Sequence, residues 1–316
     1  MGEVHQLILA LGAEEARKTA ESKLQRQCFD AAISVLSDDK FDLNILHSGF
    51  AMTALPHRKT SELVWERAGG GGNGEIKLHV ESGYGMDKEP IGVPYGAVAR
   101  LILIYLSSEA VANNSRVVEL GRNMKQFLDR MGIPIGGKSV TMVRDQARRI
   151  SMCRLTFFNR RKYDVLVSNG SFVRNAVICD TSAEQQTRLW NDSVELDEAF
   201  FKSLTEHPLP LREAAIRQLS GRSMALDLYV FLSYRLHVLE KPTPVSWSAL
   251  QQQFGGGYKE RWVFVQTVRE PLALALAAYP EANVEINESG LILHPSPSPV
   301  PKVHPFAHRT PAKRLA

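Results

Sequence analysis

The sequence contains few cysteines and no long apolar run. Its three cysteines, Cys28, Cys153 and Cys179, are odd in number and show no CxxC spacing. This usage argues against a disulfide scaffold and favours reduced thiols in a cytoplasmic protein. No stretch reaches the ~18 apolar residues that cross a bilayer, so we expect no membrane association. Because the first residues lack a basic segment and a small-residue cleavage site, we also predict no signal peptide.

Clusters of metal-binding or catalytic side chains are lacking as well. The nine histidines are scattered, and neither an HExxH motif nor a His/Cys cluster occurs. No tyrosine accompanies a paired-histidine motif of the kind found in nicking enzymes. We therefore predict a protein that is not an enzyme and that has no metal and no cofactor.

Positive charge is abundant, but only in one region. Between Gly121 and Asn175 the sequence has twelve Lys or Arg residues and three Asp, a local net charge of +9. The whole chain carries only +4, so the other residues together are net acidic at −5. Concentrated positive charge is typical of a surface that binds a polyanion, although a merely solvated basic face gives the same pattern.

Within this basic region, apolar spacing predicts two helices separated by a glycine-rich turn. Asn123–Met131 repeats apolar residues at i, i+3, i+4 and i+7, and Gly132–Gly137 breaks the pattern. The second helix is predicted over Ser139–Met152, with Ser139 as its N-cap. Strand-like residues follow, and Asn169-Gly170 predicts a two-residue hairpin turn. This order of elements is typical of a winged helix, whose second helix enters the major groove.

The second half repeats this order. A long apolar helix is predicted over Met224–Val238, and Ser246 is expected to cap a short helix over Trp247–Phe254. A longer helix then covers Tyr258–Ala278, with Trp262 facing inward and Pro271 ending or kinking its first part. A terminal hairpin is predicted from Val284 to His294.

We therefore predict an α+β fold with two tandem winged-helix domains that carry β-hairpin wings. The expected divisions are an N-terminal helical extension with a glycine-rich loop (1–84), a first winged-helix domain (85–208), a second (209–295), and a disordered basic tail (296–316). The glycine-rich stretch at 68–74 is interpreted either as a linker or as the tip of a long hairpin.

Several motifs, in order over roughly residues 85–298, resemble the plasmid-encoded RepA replication initiator family. They are Gly92–Gly96 (GVPYG) with Arg100–Leu103, Glu119–Gly121, Ala225–Tyr229 (ALDLY) with Ser233–Arg235, Trp247 with Leu250 and Gln253–Gly255, and Tyr279–Ala282 through Gly290 to Pro297. The resemblance implies binding to repeated sites in a plasmid origin and recruitment of host replication proteins, among them the host initiator and helicase. A homodimer is compatible with this role.

Helix-face reasoning then gives the candidate DNA contacts. In the first domain they are Lys138, Ser139, Thr141, Arg144, Arg148 and Arg149 on the second helix and Arg160, Arg161 and Lys162 at the hairpin; in the second domain they are Tyr258, Lys259, Arg261 and Arg269. Arg144 is our candidate for base readout, because an arginine can bond guanine O6 and N7 together. The others are expected to contact phosphates.

Two other functions remain open. Gly132–Ser139 matches the phosphate-loop pattern GxxxxGK[ST], with Asp180 as a possible magnesium ligand, but that chemistry requires a strand before the loop. The other alternative is a winged-helix transcriptional repressor, which would bind a single inverted repeat as a dimer.

Overall fold

The structure is a computed structural model that describes residues 2–70, 75–133, 136–160, 165–176 and 193–300. The fold is α+β, as predicted. The helices are α1 (Glu3–Leu11), α2 (Ala13–Lys18), α3 (Lys23–Leu36), α4 (Gly96–Ala112), α5 (Gly121–Arg130), α6 (Gly137–Met152), α7 (Glu198–Glu206), α8 (Glu213–Leu219), α9 (Ser223–Arg235), α10 (Trp247–Phe254) and α11 (Arg261–Ala277). The strands are β1 (Leu43–His47), β2 (Val64–Gly70), β3 (Glu75–Glu81), β4 (Val117–Glu119), β5 (Arg154–Arg160), β6 (Val165–Ser171), β7 (Val173–Ala176), β8 (Ser193–Leu196), β9 (Pro208–Arg212), β10 (Thr243–Ser246), β11 (Val284–Ile286) and β12 (Gly290–Leu293).

The strands form small antiparallel sheets. The largest has the order β2-β3-β5-β6, and two three-stranded sheets have the orders β4-β8-β7 and β10-β12-β11. Strand β1 pairs with β9 alone. Each of the two predicted winged-helix domains therefore contributes a hairpin, β5–β6 in the first and β11–β12 in the second.

The described part of the glycine-rich stretch, Ala68–Gly70, belongs to strand β2 and is not a linker. Strands β2 and β3 pair from Val64 with Glu81 to Gly70 with Glu75, and residues 71–74 lie outside the described residues. Strand β3 also pairs with β5, so strands from the predicted extension complete the sheet of the first predicted domain. The division at residues 84 and 208 stays a prediction, and the β3–β5 and β1–β9 pairings cross these boundaries.

The predicted turn at Asn169-Gly170 is wrong. Both residues lie inside β6, where Asn169 is opposite Thr156 and Gly170 is opposite Leu155 on β5. The connection between these strands is at residues 161–164, outside the described residues. Pairing with β5 over seven residues outweighs the local preference of an Asn-Gly pair for a turn.

Both ends of the described chain pack on the second half. Helix α3 lies against α8 and α11, and His5 Nε2 is 2.9 Å from the Ala277 carbonyl oxygen. The predicted disorder is wrong for residues 296–300. The Ser296 amide donates to Leu236, the Tyr279 hydroxyl donates to Pro297, and Val300 is buried. The rest of the predicted tail lies outside the described residues.

One buried ion pair joins the two long apolar helices. Arg100 on α4 donates to both carboxylate oxygens of Asp227 on α9, at 2.6 and 2.5 Å. The same guanidinium also bonds the carbonyls of Leu55 and Gly96. An Arg with this many partners fixes α4 against α9, because removing one partner leaves a charge uncompensated in the core.

Among the described residues, no helix is both long and apolar enough to cross a membrane. No group of three or more His, Cys, Asp or Glu side chains in the same residues could hold a metal ion. Cys28 and Cys153 are buried and free, and burial raises the pKa of their thiols to about 11 and about 12, so neither is an activated nucleophile. Cys179 lies outside the described residues.

Candidate nucleic-acid interface

Helix α6 separates its residues into two faces. Val143, Gln146 and Ile150 are buried on one side, whereas Lys138, Thr141 and Arg148 are exposed on the other. The helix begins at Gly137 with Gly136 as its N-cap, so Ser139 is its third residue and not the predicted cap. Ser139 is half-buried. The exposed face therefore has two cations and a hydroxyl, together with the apolar side chain of Met142.

Arg149 is not on this exposed face, which corrects its predicted position. Its side chain is only 7% exposed, and its Nε donates to Asp145 Oδ2 at 2.9 Å. The guanidinium carbon lies 5.2 Å from the centre of the Tyr95 ring. Helix geometry explains why Arg148 is exposed and Arg149 is buried, because successive side chains are rotated by about 100° around the helix axis. Arg149 therefore holds α6 in place.

A second contact from the same helix supports this role. The Gln146 side chain accepts a hydrogen bond from the Tyr95 amide at 2.8 Å and donates to Asp145. Residues 92–96 are thus attached to the buried side of α6 through two side chains. This gives the GVPYG motif a structural purpose, namely to fix the position of the basic helix.

Two glycines of this motif have backbone conformations that disfavour other residues. Gly92 has φ +87°, and a Cβ added there would lie 2.3 Å from an Arg149 nitrogen. Gly96 has φ +75° at the start of α4. A side chain at Gly92 would combine backbone strain with displacement of Arg149.

Arg144 and Arg148 differ in exposure. Arg148 is exposed, and a Cβ at Gly85 would be 3.1 Å from one of its terminal nitrogens. Arg144 is half-buried, and its Nε is buried without a hydrogen-bond partner among the described residues. Arg148 is therefore the more accessible of the two, whereas Arg149 is buried.

The hairpin cations are only partly described. Arg160 is the last residue of β5, and its backbone is opposite Glu75 on one side and Val165 on the other. Arg161 and Lys162 lie outside the described residues. Of the remaining cations in the basic region, Arg130 pairs with Glu213 at 3.0 Å and so connects α5 to α8.

The second candidate helix, α11, differs from its prediction in three respects. It begins at Arg261, so Tyr258 and Lys259 lie in the turn before it, with the Tyr258 ring packed 5.8 Å from that of Phe264. It continues through Pro271 as one helix. Trp262, predicted to face inward, is 69% exposed. Lys259, Arg261 and Arg269 are exposed as well.

Sequence reasoning missed Trp262 because it assigned the wrong residues to the buried face. The spacing Trp262, Val265, Val268 fits a helix, but the fully buried residues are Phe264, Val268 and Leu272. From Phe264 the buried residues recur at i+4, i+8 and i+11, the last being Ala275, which is the spacing of one helix face. That longer series is the signal that would have placed Trp262 outside.

The phosphate-loop alternative is wrong in its structural context. Gly132–Ser139 connects helix α5 to helix α6, whereas a nucleotide-binding loop follows a strand. The preceding strand, β4, is short, pairs antiparallel with β8 and is separated from the loop by α5. Residues 134 and 135 and Asp180 lie outside the described residues.

Comparison with known proteins finds one matching family. A family model described as "Plasmid encoded RepA protein" matches residues 93–248. Residues 93–248 therefore match the plasmid-encoded RepA family that the sequence motifs resemble. The RepA match begins inside the GVPYG motif, includes α6 and hairpin β5–β6, and ends at the start of α10. Helix α11 lies beyond it.

One solved structure has a similar fold over most of the chain. Domains 2 and 3 of RctB are similar at a TM-score of 0.50 and 12% identity, covering 78% of this chain and 98% of that one. A second structure of RctB domains 2–3 matches at a TM-score of 0.47 and 11% identity, covering 77% and 93%. At these identities the likeness concerns the fold alone. No curated protein is similar enough to match the sequence.

Proposed function

We propose that this protein is a plasmid replication initiator that binds repeated sites in duplex origin DNA and recruits host replication proteins. The observation that carries the proposal is the exposed face of α6, inside the RepA match, where Lys138, Thr141 and Arg148 point away from the core. A cationic helix after a short turn and before a hairpin suits insertion into a major groove.

Two winged helices provide the DNA contacts in this proposal. In the first, α5, α6 and hairpin β5–β6 are the helix-turn-helix and the wing, and Arg160, Arg161 and Lys162 hold the wing against phosphates. In the second, α10, α11 and hairpin β11–β12 have the same roles. Exposed Lys259, Arg261 and Arg269 support this assignment.

The contacts divide into those that position the protein and those that read bases. Lys138, Ser139, Thr141 and Arg148 are assigned to phosphates near the start and the outer side of α6. Arg144 is assigned to a guanine, because it lies one turn from both Thr141 and Arg148 on α6 and an arginine can bond guanine O6 and N7 together. We no longer assign Arg149 to DNA, because its charge is already paired with Asp145.

Initiation requires more than binding. Occupation of several adjacent sites bends the duplex beside an easily melted segment, and the bound protein then attracts the host initiator and helicase. The buried Arg100–Asp227 pair favours this mechanism, because a rigid connection between two DNA-binding units transmits strain to the DNA.

Footprinting on the DNA that flanks the gene tests the proposal. Protection of several direct repeats, with opening of neighbouring base pairs, is the expected result. Protection of one inverted repeat without opening would favour the transcriptional repressor. Absence of any protected segment at low salt would contradict DNA recognition altogether.

A further inference from the structure

Trp262 is an anomaly among the tryptophans that the structure describes. Trp65 and Trp247 are buried, and their indole nitrogens donate to the carbonyls of Ala54 and Glu288. Trp262 is 69% exposed in the first turn of α11. An indole left in water loses the large apolar burial that this residue usually provides, and its ring is available to a ligand.

The surroundings of Trp262 indicate the charge of that ligand. Exposed Lys259 and Arg261 precede it along the chain, and Gln266 and Arg269 follow it at i+4 and i+7 on the same side of the helix. Of the two nearby acids, Glu270 is paired with Arg222 and Glu260 is exposed at the N-cap. The net positive charge suits a polyanion better than an acidic or neutral protein surface.

We propose that Trp262 packs against the 5-methyl group of a thymine in the major groove, so that α11 contributes to sequence preference. This inference rests on the proposed DNA-binding function. The physical reason is that base edges in the major groove are polar except for the thymine methyl. An apolar side chain on a groove-facing helix therefore has one apolar partner available there.

Removing that methyl group provides a direct test. Duplexes containing the protected repeats are prepared with each thymine replaced in turn by deoxyuridine, and affinities are measured for the full chain. The wild-type protein should lose about fourfold in affinity at one position, the value expected for burial of one methyl group. Trp262→Gln should bind the thymine duplex more weakly and should show no further loss with deoxyuridine at that position, whereas Trp262→Phe should retain part of the discrimination.

A matched control is available in the same protein. Leu9 is 66% exposed on α1, which contacts the far end of α11 near Ala277, about 24 Å from Arg261 by helix rise. Leu9→Gln should leave the affinity and the methyl discrimination unchanged. Because both changed side chains are exposed, both variants should fold, and unfolding in urea confirms this.

The possible outcomes separate this inference from the proposed function. In one outcome the wild-type protein binds the repeats, but every thymine replacement changes the affinity of wild type and Trp262→Gln equally. Trp262 then does not contact a thymine methyl group, while the proposed DNA-binding function still holds. Emission from Trp262, taken as the difference between wild type and Trp262→Phe, should change on adding duplex. A change caused only by single-stranded DNA would overturn the proposal. Failure of all proteins to bind the repeats would overturn the function itself.

Discussion

The two candidate recognition helices share their place in the order of elements but differ in chemistry. Helix α6 lies within the RepA match and exposes Lys138, Thr141 and Arg148, while Arg149 and Gln146 attach it to the GVPYG segment. Helix α11 lies beyond the match and exposes a large aromatic ring between cations. A repeated architecture therefore does not imply repeated contacts, and the two helices should respond differently to substitution.

The largest effect is expected on the free energy of unfolding, from loss of the Arg100–Asp227 pair that joins α4 to α9. Arg100→Ala should reduce the free energy of unfolding by about 3–5 kcal/mol, because Asp227 is left charged and buried. The measurement is unfolding in urea. Arg17→Ala is the control, since its pair with Asp30 is exposed and its loss should leave the midpoint unchanged. If the Arg100 variant is as stable as the wild type, the pair does not fix the two halves.

A pH-dependent loss of stability is expected from buried histidines. Burial, with a smaller contribution from His207, lowers the pKa of His47 to about 4, and burial, with Arg100 nearby, lowers that of His57 to about 3. Below pH ~6.5 these histidines are protonated in the unfolded chain but stay neutral in the folded chain. The free energy of unfolding therefore decreases as the pH falls from about 6.5 towards these values. Each histidine contributes up to about 1.4 kcal/mol per pH unit within its window.

A variant of His47 isolates its part of this effect. The ring stacks between Phe157 and Phe200, with centroids at 5.0 and 5.5 Å, so His47→Phe keeps an aromatic ring there, although it loses the bonds to Gly49 and Ser203 at every pH. The urea midpoint of this variant should fall less between pH 7 and pH 5 than that of the wild type. An equal fall in both proteins would show that the pKa of His47 is the same in the folded and the unfolded chain.

Neighbouring arginines on α6 separate DNA contacts from structural ones. Arg144→Ala should cost about 1–3 kcal/mol of binding free energy and relax the preference at one base pair. Arg149→Gln should instead lower the urea midpoint, because its bonds to Asp145 and Val93 are lost. Binding assays on single-base variants of the repeats measure the first effect. An equal loss of affinity on every sequence would contradict base readout by Arg144.

The smallest effects on DNA affinity are expected when a lysine assigned to a phosphate is replaced. Lys162→Ala at the first hairpin and Lys259→Ala before α11 should each reduce the slope of log affinity against log salt by roughly one unit. The measurement is a salt titration of binding, with Lys18→Ala on α2, which belongs to neither candidate helix nor hairpin, as the control. An unchanged slope for either variant would remove that lysine from the interface.

Local signals predicted local structure well. Helix α10 and its cap at Ser246 follow from the sequence to the residue, since the Ser246 hydroxyl accepts from the Ala249 amide within the same turn. Hairpin β11–β12 is confirmed for the same reason, because Asn287 stabilises its turn through the Gly290 amide. Such features depend on neighbours a few residues apart.

Contacts between residues far apart in the sequence could not be predicted from local spacing. The strands of residues 43–81 pair with β9 and β5, which no spacing within residues 40–90 reveals. The burial of Arg149 depends on a segment more than fifty residues away, although the Asp145–Arg149 spacing of i, i+4 was a visible hint. The wrong hairpin turn comes from the pairing of β6 with β5, whereas the wrong face of α11 could have been avoided by following the buried series that begins at Phe264.

The central claim is that two different cationic helices contact separate parts of one duplex. Hydroxyl-radical footprinting on the origin repeats tests it most directly, with Arg148→Gln and Arg261→Gln compared with the wild-type protein at equal occupancy. The account predicts two protected patches per site, the first weakened only by the Arg148 change and the second only by the Arg261 change. A single patch, or two patches that weaken together in either variant, would contradict it.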